Sequence, residues 1–351
     1  MALSKVNPNF VSQLGRRNLF LGNGDMRIAQ RGTTKASLTT GYNCLDRVYT
    51  YKSHDGVVEE SQSTDTPNSE FYNSIKHRVT TADSTIAGAQ YHALSFRTEG
   101  QDVSHLGFGT SGAKKVTVSF WVKSSVAGAY GAALRNIDSN RFNQATMTIN
   151  SADTWEKKSI TYTGDTGGTW PKDNTQGFHF QLSMAMGTTY QGTSADTWVT
   201  NIDVAPSNQV NWLSAVGNTF YLTGMQVEEG IIATDFEHRS YGEELAACKR
   251  YYQVVSASPT FGVDNIRARM SLSFPVEMRA TPSVSQSAVV TLANPGVGNV
   301  TQSGVSFSIA GTSTNRGGTY QLANFSGMTE SKIYHFGQSS GAALLQFDAE
   351  L

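Results

Sequence analysis

The chain has 351 residues, of which 16% are charged, and Lys and Arg nearly balance Asp and Glu for a formal net charge of −1. That length holds two ordinary domains, each with its own core. The near-neutral balance excludes a global field that would draw the chain to phosphate backbones or anionic lipid, so neither a nucleic-acid partner nor membrane insertion is expected. Low charge with abundant Gly, Ser and Thr suits turn-rich β-structure. No apolar run is long enough to read as a spanning helix. The two cysteines, Cys44 and Cys248, are far apart and sit in no C-x-x-C motif, which favours two reduced, buried thiols and folding in a reducing cytoplasm.

In chain order, residues 1–17 read as an arm carrying Lys5, Arg16 and Arg17, with no secretory apolar core and cleavage site. "NLFLGNGDMRIAQRG" (18–32) alternates around Gly22-Asn23-Gly24, so strands are expected to begin there. Residues 52–90 are polar and irregular, with loops and short edge strands expected. "KKVTVSFWVKSS" (114–125) is the clearest strand, with Val116, Val118, Phe120 and Val122 on one face. "ATMTIN", "WEKKSITYTG", "FHFQLSMAMG" and "TFYLTGMQVEEG" follow, and turn signals separate them in the manner of a sandwich or jelly roll. All five tryptophans fall between residues 121 and 212, and beyond Tyr252 the chain is β-like, Trp-free and sparsely charged.

"DFEHRSYGEELAACKRYYQ" (235–253) differs from its surroundings. Ser240 and Glu243 form the S-x-x-E capping box, Glu243 and Glu244 open a helix, and Lys249 and Arg250 close it in the sense the helix dipole favours. Tyr241, Leu245, Cys248 and Tyr252 are expected to form one apolar stripe. The expected organisation is all-β: an arm at 1–17, a jelly-roll sandwich at 18–236, a connecting helix at 237–253 and a smaller β-domain at 254–351.

Signals for chemistry are weak. Glu59, Glu60, Asp138, Asp165, Glu228 and Glu229 single out no carboxylate pair of the kind glycoside hydrolysis needs. The seven histidines make no metal-ligand spacing, and neither a phosphate loop nor a nucleophile elbow is present. No catalytic residue, cofactor or transition metal is expected; residues 136–143 and 163–174 are rich in oxygen ligands that suit Ca²⁺, with plain surface turns the preferred reading. Trp170, Tyr190, Trp198 and Trp212 lie in or beside polar loop-like segments, where a ring can stack on a sugar while neighbouring amides read its hydroxyls. They are the candidate ligand-binding residues, and core packing is the competing reading for each.

"NLFLGNGDMRIAQRGTT" (18–34), "YNCLDRVYTY" (42–51), "SFWVKSS" (119–125), "GNTFYLTGMQVEEG" (217–230), "FEHRSYGEELAACKRYY" (236–252) and the closing "FDAEL" together resemble a family of phage tail-fibre and virion structural proteins, notably those of phages of marine bacteria. The resemblance implies a jelly roll like that of carbohydrate-binding modules, a following small β-domain and no catalytic residues. It also implies a homo-oligomer, expected to be a trimer, on the virion exterior, made in the host cytoplasm and attached to other virion proteins through residues 1–17. The expected function is adhesion to host surface glycans as a short tail fibre or knob. The alternatives are a capsid-decorating or tail-junction protein that binds no glycan, and a surface polysaccharide depolymerase.

Overall fold

A computed structural model of the chain describes residues 18–351 apart from 21, 137, 194, 256–259, 287–289, 295, 297, 303–305 and 337–344. The expected arm at 1–17 lies outside the described residues. The chain forms two compact units, Met1–Leu245 together with Leu351, and Ala246–Glu350. Both are β-structures.

The first unit is a jelly-roll sandwich of two antiparallel sheets. Ten strands carry it: β1 (Val48–Ser53), β2 (Val57–Ser63), β3 (Ser74–Thr81), β4 (Tyr91–Glu99), β5 (Val116–Ser124), β6 (Gly128–Asn136), β7 (Arg141–Ile149), β8 (Glu156–Tyr162), β9 (Gln176–Met186) and β10 (Thr219–Glu229). One sheet runs Thr34–Lys35, β2, β3, β10, β5, β8; the other runs Trp198–Val199, β7, β6, β9, β4, β1, Gly41–Tyr42. Alternation decides which side chains meet between them. Val116, Val118, Phe120 and Val122 of β5 face inward, as do Phe178, Phe180, Leu182 and Met184 of β9, and all are buried in one core. Each large side chain so buried contributes roughly 1.5–3 kcal/mol.

Two stretches differ from the sequence expectation. Among the described residues of 18–33 no ladder forms, and the first short strand described is Thr34–Lys35. Asn23, held at φ 63°, takes the place of a partner strand: its amide nitrogen donates to the carbonyls of Ile28 and Asp46, both at 2.8 Å, and its amide oxygen accepts from the Ile28 N–H at 2.7 Å. Residues 52–90, expected to be irregular, contain the regular strands β2 and β3, paired from Val57–Thr81 to Ser63–Ser74. Their inward positions carry polar residues, Glu60 and His77 among them, which masks the alternation.

Those polar residues form a buried chain across the sandwich. Glu60 Oε1 accepts from the Cys44 and Leu45 N–H groups at 2.8 and 3.2 Å, and Oε2 lies 3.0 Å from His77 Nε2. His77 Nδ1 lies 3.1 Å from His92 Nε2, and His92 Nδ1 lies 3.2 Å from His54 Nε2. Glu60 and His77 belong to one sheet and His92 to the other, so the chain links the two layers.

The second unit has a three-stranded sheet, Tyr252–Val255, Leu345–Asp348 and Ser283–Gln286, and a seven-stranded sheet centred on Thr260–Gly262 and Ala268–Ser273. Its core is built on Met270, Leu292, Tyr320, Leu322, Tyr334 and Phe347. The helix, α1 (Tyr241–Lys249), contains the division between the units, which falls after Leu245. At its start the Ser240 N–H donates to Glu243 Oε2 at 2.8 Å and the Glu243 N–H donates to Ser240 Oγ at 3.3 Å. The expected apolar stripe needs one correction: Tyr241 is exposed, Leu245 is half-buried, and Glu244 is the residue buried one turn before Cys248. Glu244 faces inward because its carboxylate accepts the Asn23 N–H at 2.5 Å and pairs with Arg239 at 3.3 Å. Cys248 and Tyr252 are buried in the second unit.

Candidate functional site

The outward face of the seven-stranded sheet of the first unit is unlike an ordinary solvated surface. Odd-numbered positions of β1 and β4 point there, and they carry Tyr49, Tyr51, Tyr91, Ala93, Ser95 and Arg97. Register then places Arg97, His179, Arg135 and Phe142 in one row across β4, β9, β6 and β7. The small residues Ala93, Ala133 and Gly131 leave room for the 202–206 segment to cross the face. A Cβ on Gly131 would stand 2.3 Å from the Val204 carbonyl oxygen, so the crossing depends on glycine there. The Ser183 hydroxyl fixes the same segment by donating to the Val204 carbonyl at 3.0 Å.

Tyrosines form a continuous band along this face. Ring centroids are 5.2 Å apart for Tyr42–Tyr49, 4.8 Å for Tyr49–Tyr51, 6.4 Å for Tyr51–Tyr91 and 5.3 Å for Tyr91–Tyr190. Beside Tyr51, Tyr91 and Tyr190 opens a pocket of about 150 Å³, with Arg135 and Gln181 on its polar side and Ile202 at an exposed rim. Burial, and then the neighbouring phenols of Tyr190, Tyr49 and Tyr51, raise the Tyr91 hydroxyl above its usual range, so it stays a neutral donor. Arg97 lies over the Tyr49 ring at 3.6 Å and donates to the Tyr51 hydroxyl at 3.0 Å. Arg135 lies between the Tyr51 and Phe142 rings, 5.7 and 5.0 Å from their centroids. Rings, neutral hydroxyls, an amide and a guanidinium suit a ligand with apolar faces and a hydroxylated edge. None of the pocket's lining residues is a carboxylate.

A second depression, about 200 Å³, lies on the six-stranded sheet's outer side and is lined by Trp121, Phe71, Phe236 and His238 with Glu70, Lys157 and Asp235. Its rings pack on one another, Phe236 on His238 at 4.9 Å and Phe71 on Phe236 at 5.3 Å.

Of the four aromatic residues expected to bind a ligand, Tyr190 lines the tyrosine pocket. Trp212 sits in the core, fully buried and stacked on His92 at 5.6 Å, with its indole N–H donating to the Thr219 carbonyl. It offers no face to a ligand, because its polar-looking segment folds back between the sheets as a 3-10 turn capped by Asn211. Trp170 is buried against Phe108 and Trp198, ring centroids 4.8 and 5.6 Å away, and its indole N–H donates to Asp165 and to the Gly167 carbonyl. Trp198 is half-buried at the edge of the seven-stranded sheet and donates to the Thr163 carbonyl at 2.7 Å. The two oxygen-rich segments at 136–143 and 163–174 do meet, but through Arg141, whose guanidinium holds both oxygens of the buried Asp165 at 2.6 and 2.8 Å. Among the described residues no cluster of three His, Cys, Asp or Glu side chains is placed to hold a metal.

Sequence reasoning missed Tyr49, Tyr51, Tyr91 and Arg135. The signal was the Tyr49-Thr50-Tyr51 alternation, which puts two phenols on one strand face while Thr50 turns inward. Both cysteines are buried, and burial with the neighbouring Glu60 pushes the Cys44 thiol up to about 12, which makes it inert rather than nucleophilic.

No family model and no curated protein matches the chain. Solved structures do. The bacteriophage CBA120 tailspike protein 4 enzymatically active domain is similar to it at 11% identity and a TM-score of 0.33, over 60% of this chain and 21% of that one. The chain thus spans about a fifth of that domain's length. The CBM22-1 xylan-binding domain from Paenibacillus barcinonensis is similar at 11% identity and a TM-score of 0.29, over 62% of this chain and 99% of that one. A family 11 carbohydrate-binding module of a cellulosomal cellulase of Clostridium thermocellum is similar at 13% identity and a TM-score of 0.28, over 59% and 98%.

Proposed function

We propose that the protein binds glycans through the tyrosine-lined face of its jelly roll and serves as an adhesive virion component, a short tail fibre or knob on the exterior of a phage. The observation that carries the binding reading is the unbroken band from Tyr42 to Tyr190 ending at the pocket beside Arg135 and Gln181. A sugar has an apolar face for the rings and a polar rim for the phenols, amide and guanidinium. The virion assignment is supported by the sequence resemblance, and so is assembly as a trimer attached through residues 1–17. A site this shallow gives a weak single contact, which several copies on one particle multiply. With no carboxylate lining the pocket, the reading is adhesion without hydrolysis.

The test is a glycan array and host-cell binding with the intact protein and with Tyr51→Ala and Tyr190→Ala. Loss of either ring is expected to weaken glycan binding at least about tenfold, the size of one stacking contact, with the melting temperature nearly unchanged in Tyr190→Ala and lowered in Tyr51→Ala, where Arg97 loses an acceptor. If neither array nor cells retain the intact protein, adhesion is wrong and a decorating or tail-junction role takes its place.

A further inference from the structure

The tyrosine pocket carries a positive charge, and none of its other lining residues is a carboxylate. Arg135 is half-buried, and its Nη1 donates to the neutral Gln181 Oε1. Its Nε is buried without a hydrogen-bond partner. Among the described residues no ion pair to Arg135 is formed, and the ionisable groups acting on it are the Tyr51 phenol and a second cation, Arg97. Arg97 is already engaged with the Tyr51 hydroxyl and the Leu351 carbonyl oxygen, yet it too keeps a buried Nε unpaired. Between these two in the same row lies His179, fully buried, with Nε2 unpaired and Nδ1 3.4 Å from Ser95 Oγ. Three adjacent residues on one sheet face thus each hold an unsatisfied nitrogen.

A buried donor left unmade costs about 1–3 kcal/mol, and more when it is charged. A guanidinium pressed between two rings is poorly hydrated and geometrically fixed, so an oxyanion placed against it is held by charge-assisted hydrogen bonds. The cleft meets this cation with rings and neutral groups only, and a neutral sugar would leave the charge unanswered.

We propose that the pocket selects an anionic glycan, with a sugar oxyanion (a uronic-acid carboxylate or a sulfate ester) seated against Arg135 while the ring lies on Tyr51, Tyr91 or Tyr190. This rests on the glycan-binding reading above and adds the charge of the ligand. The probes are galacturonate, glucuronate and mannuronate oligosaccharides, each paired with its carboxyl-reduced neutral counterpart and with a sulfated form of that counterpart, titrated into the intact chain by calorimetry. The anionic member of each bound pair is expected to bind at least about tenfold tighter than the neutral one. In Arg135→Gln that ratio falls to about one; Arg135→Lys keeps part of it, and melting curves confirm that both variants fold. The carboxylate and sulfate arms tell which oxyanion is preferred. Equal affinity for charged and neutral members, or a preference that survives Arg135→Gln, overturns the charge selection alone. Absence of binding by every probe, charged or neutral, overturns the glycan site as well.

Discussion

Replacing Glu60 with alanine is expected to destabilise the first unit by about 3–5 kcal/mol, the range found when one partner of a buried charged network is removed. The carboxylate serves three donors at once: the Cys44 and Leu45 N–H groups on Oε1 and the His77 ring on Oε2. All of these groups are buried. Truncation therefore leaves two backbone donors and the His77 Nε2 without partners, each a desolvated polar group. The loss spreads, because His77 in turn positions His92, and His92 positions both His54 and the stacked Trp212. Glu60→Gln keeps one acceptor and the shape, and is expected to lose less. Denaturant unfolding measures both; a cost below about 1 kcal/mol for Glu60→Ala would show that the chain of histidines does not tie the sheets together.

Acid is expected to destabilise the protein as pH falls below about 6.5. Burial, and then Lys52, lowers His54 to about 4; burial, and then His77, His54 and Lys52, holds His92 well below its ordinary value; burial, with Arg97 and Arg135, does the same to His179. In the unfolded chain each of these rings takes a proton near pH 6.5. Between that value and the folded one the unfolded state binds more protons, so stability falls as pH falls and is fully present above about 6.5. The interval from 6.5 down to about 4 makes His54 alone responsible for roughly 3 kcal/mol. Asp25 and Glu244, whose carboxyls burial raises, act in the opposite sense and reduce the net loss. Thermal melts from pH 7 to pH 4.5 should show a steep drop that His54→Asn makes shallower. A melting temperature flat over that range would contradict the buried-neutral assignment.

What was legible in the sequence followed the physics of alternation. β5 and β9 place apolar residues inward at every second position, β10 does so on either side of a bulge between Thr223 and Gln226, and all three were visible without a structure. β2 and β3 were hidden because Glu60 and His77 stand where a core strand ordinarily shows Val or Leu, and a buried polar network looks like a loop when read one residue at a time. The 18–33 stretch failed in the other direction: it alternates, yet the Asn23 side chain supplies the hydrogen bonds a neighbouring strand would have given. In the helix the capping residues were readable from local spacing, while the inward turn of Glu244 depends on Arg239 and Asn23, the second of which is far off in sequence. Tryptophan in a polar segment proved a poor guide to exposure, since each of Trp170, Trp198 and Trp212 spends its N–H on a protein oxygen. The pocket is assembled from five separate stretches, β1, β4, β6, β9 and the 186–204 region, and only register brings them to one place.

The most direct measurement of the central claim is hydrogen exchange of the intact protein with and without a bound host glycan. The account predicts new protection confined to β1, β4, β6, β9 and residues 186–204, around Tyr51, Tyr91, Arg135, Gln181 and Tyr190. Protection that instead surrounds Trp121, Phe71 and Phe236 on the opposite sheet, leaving the tyrosine face unchanged, would contradict it.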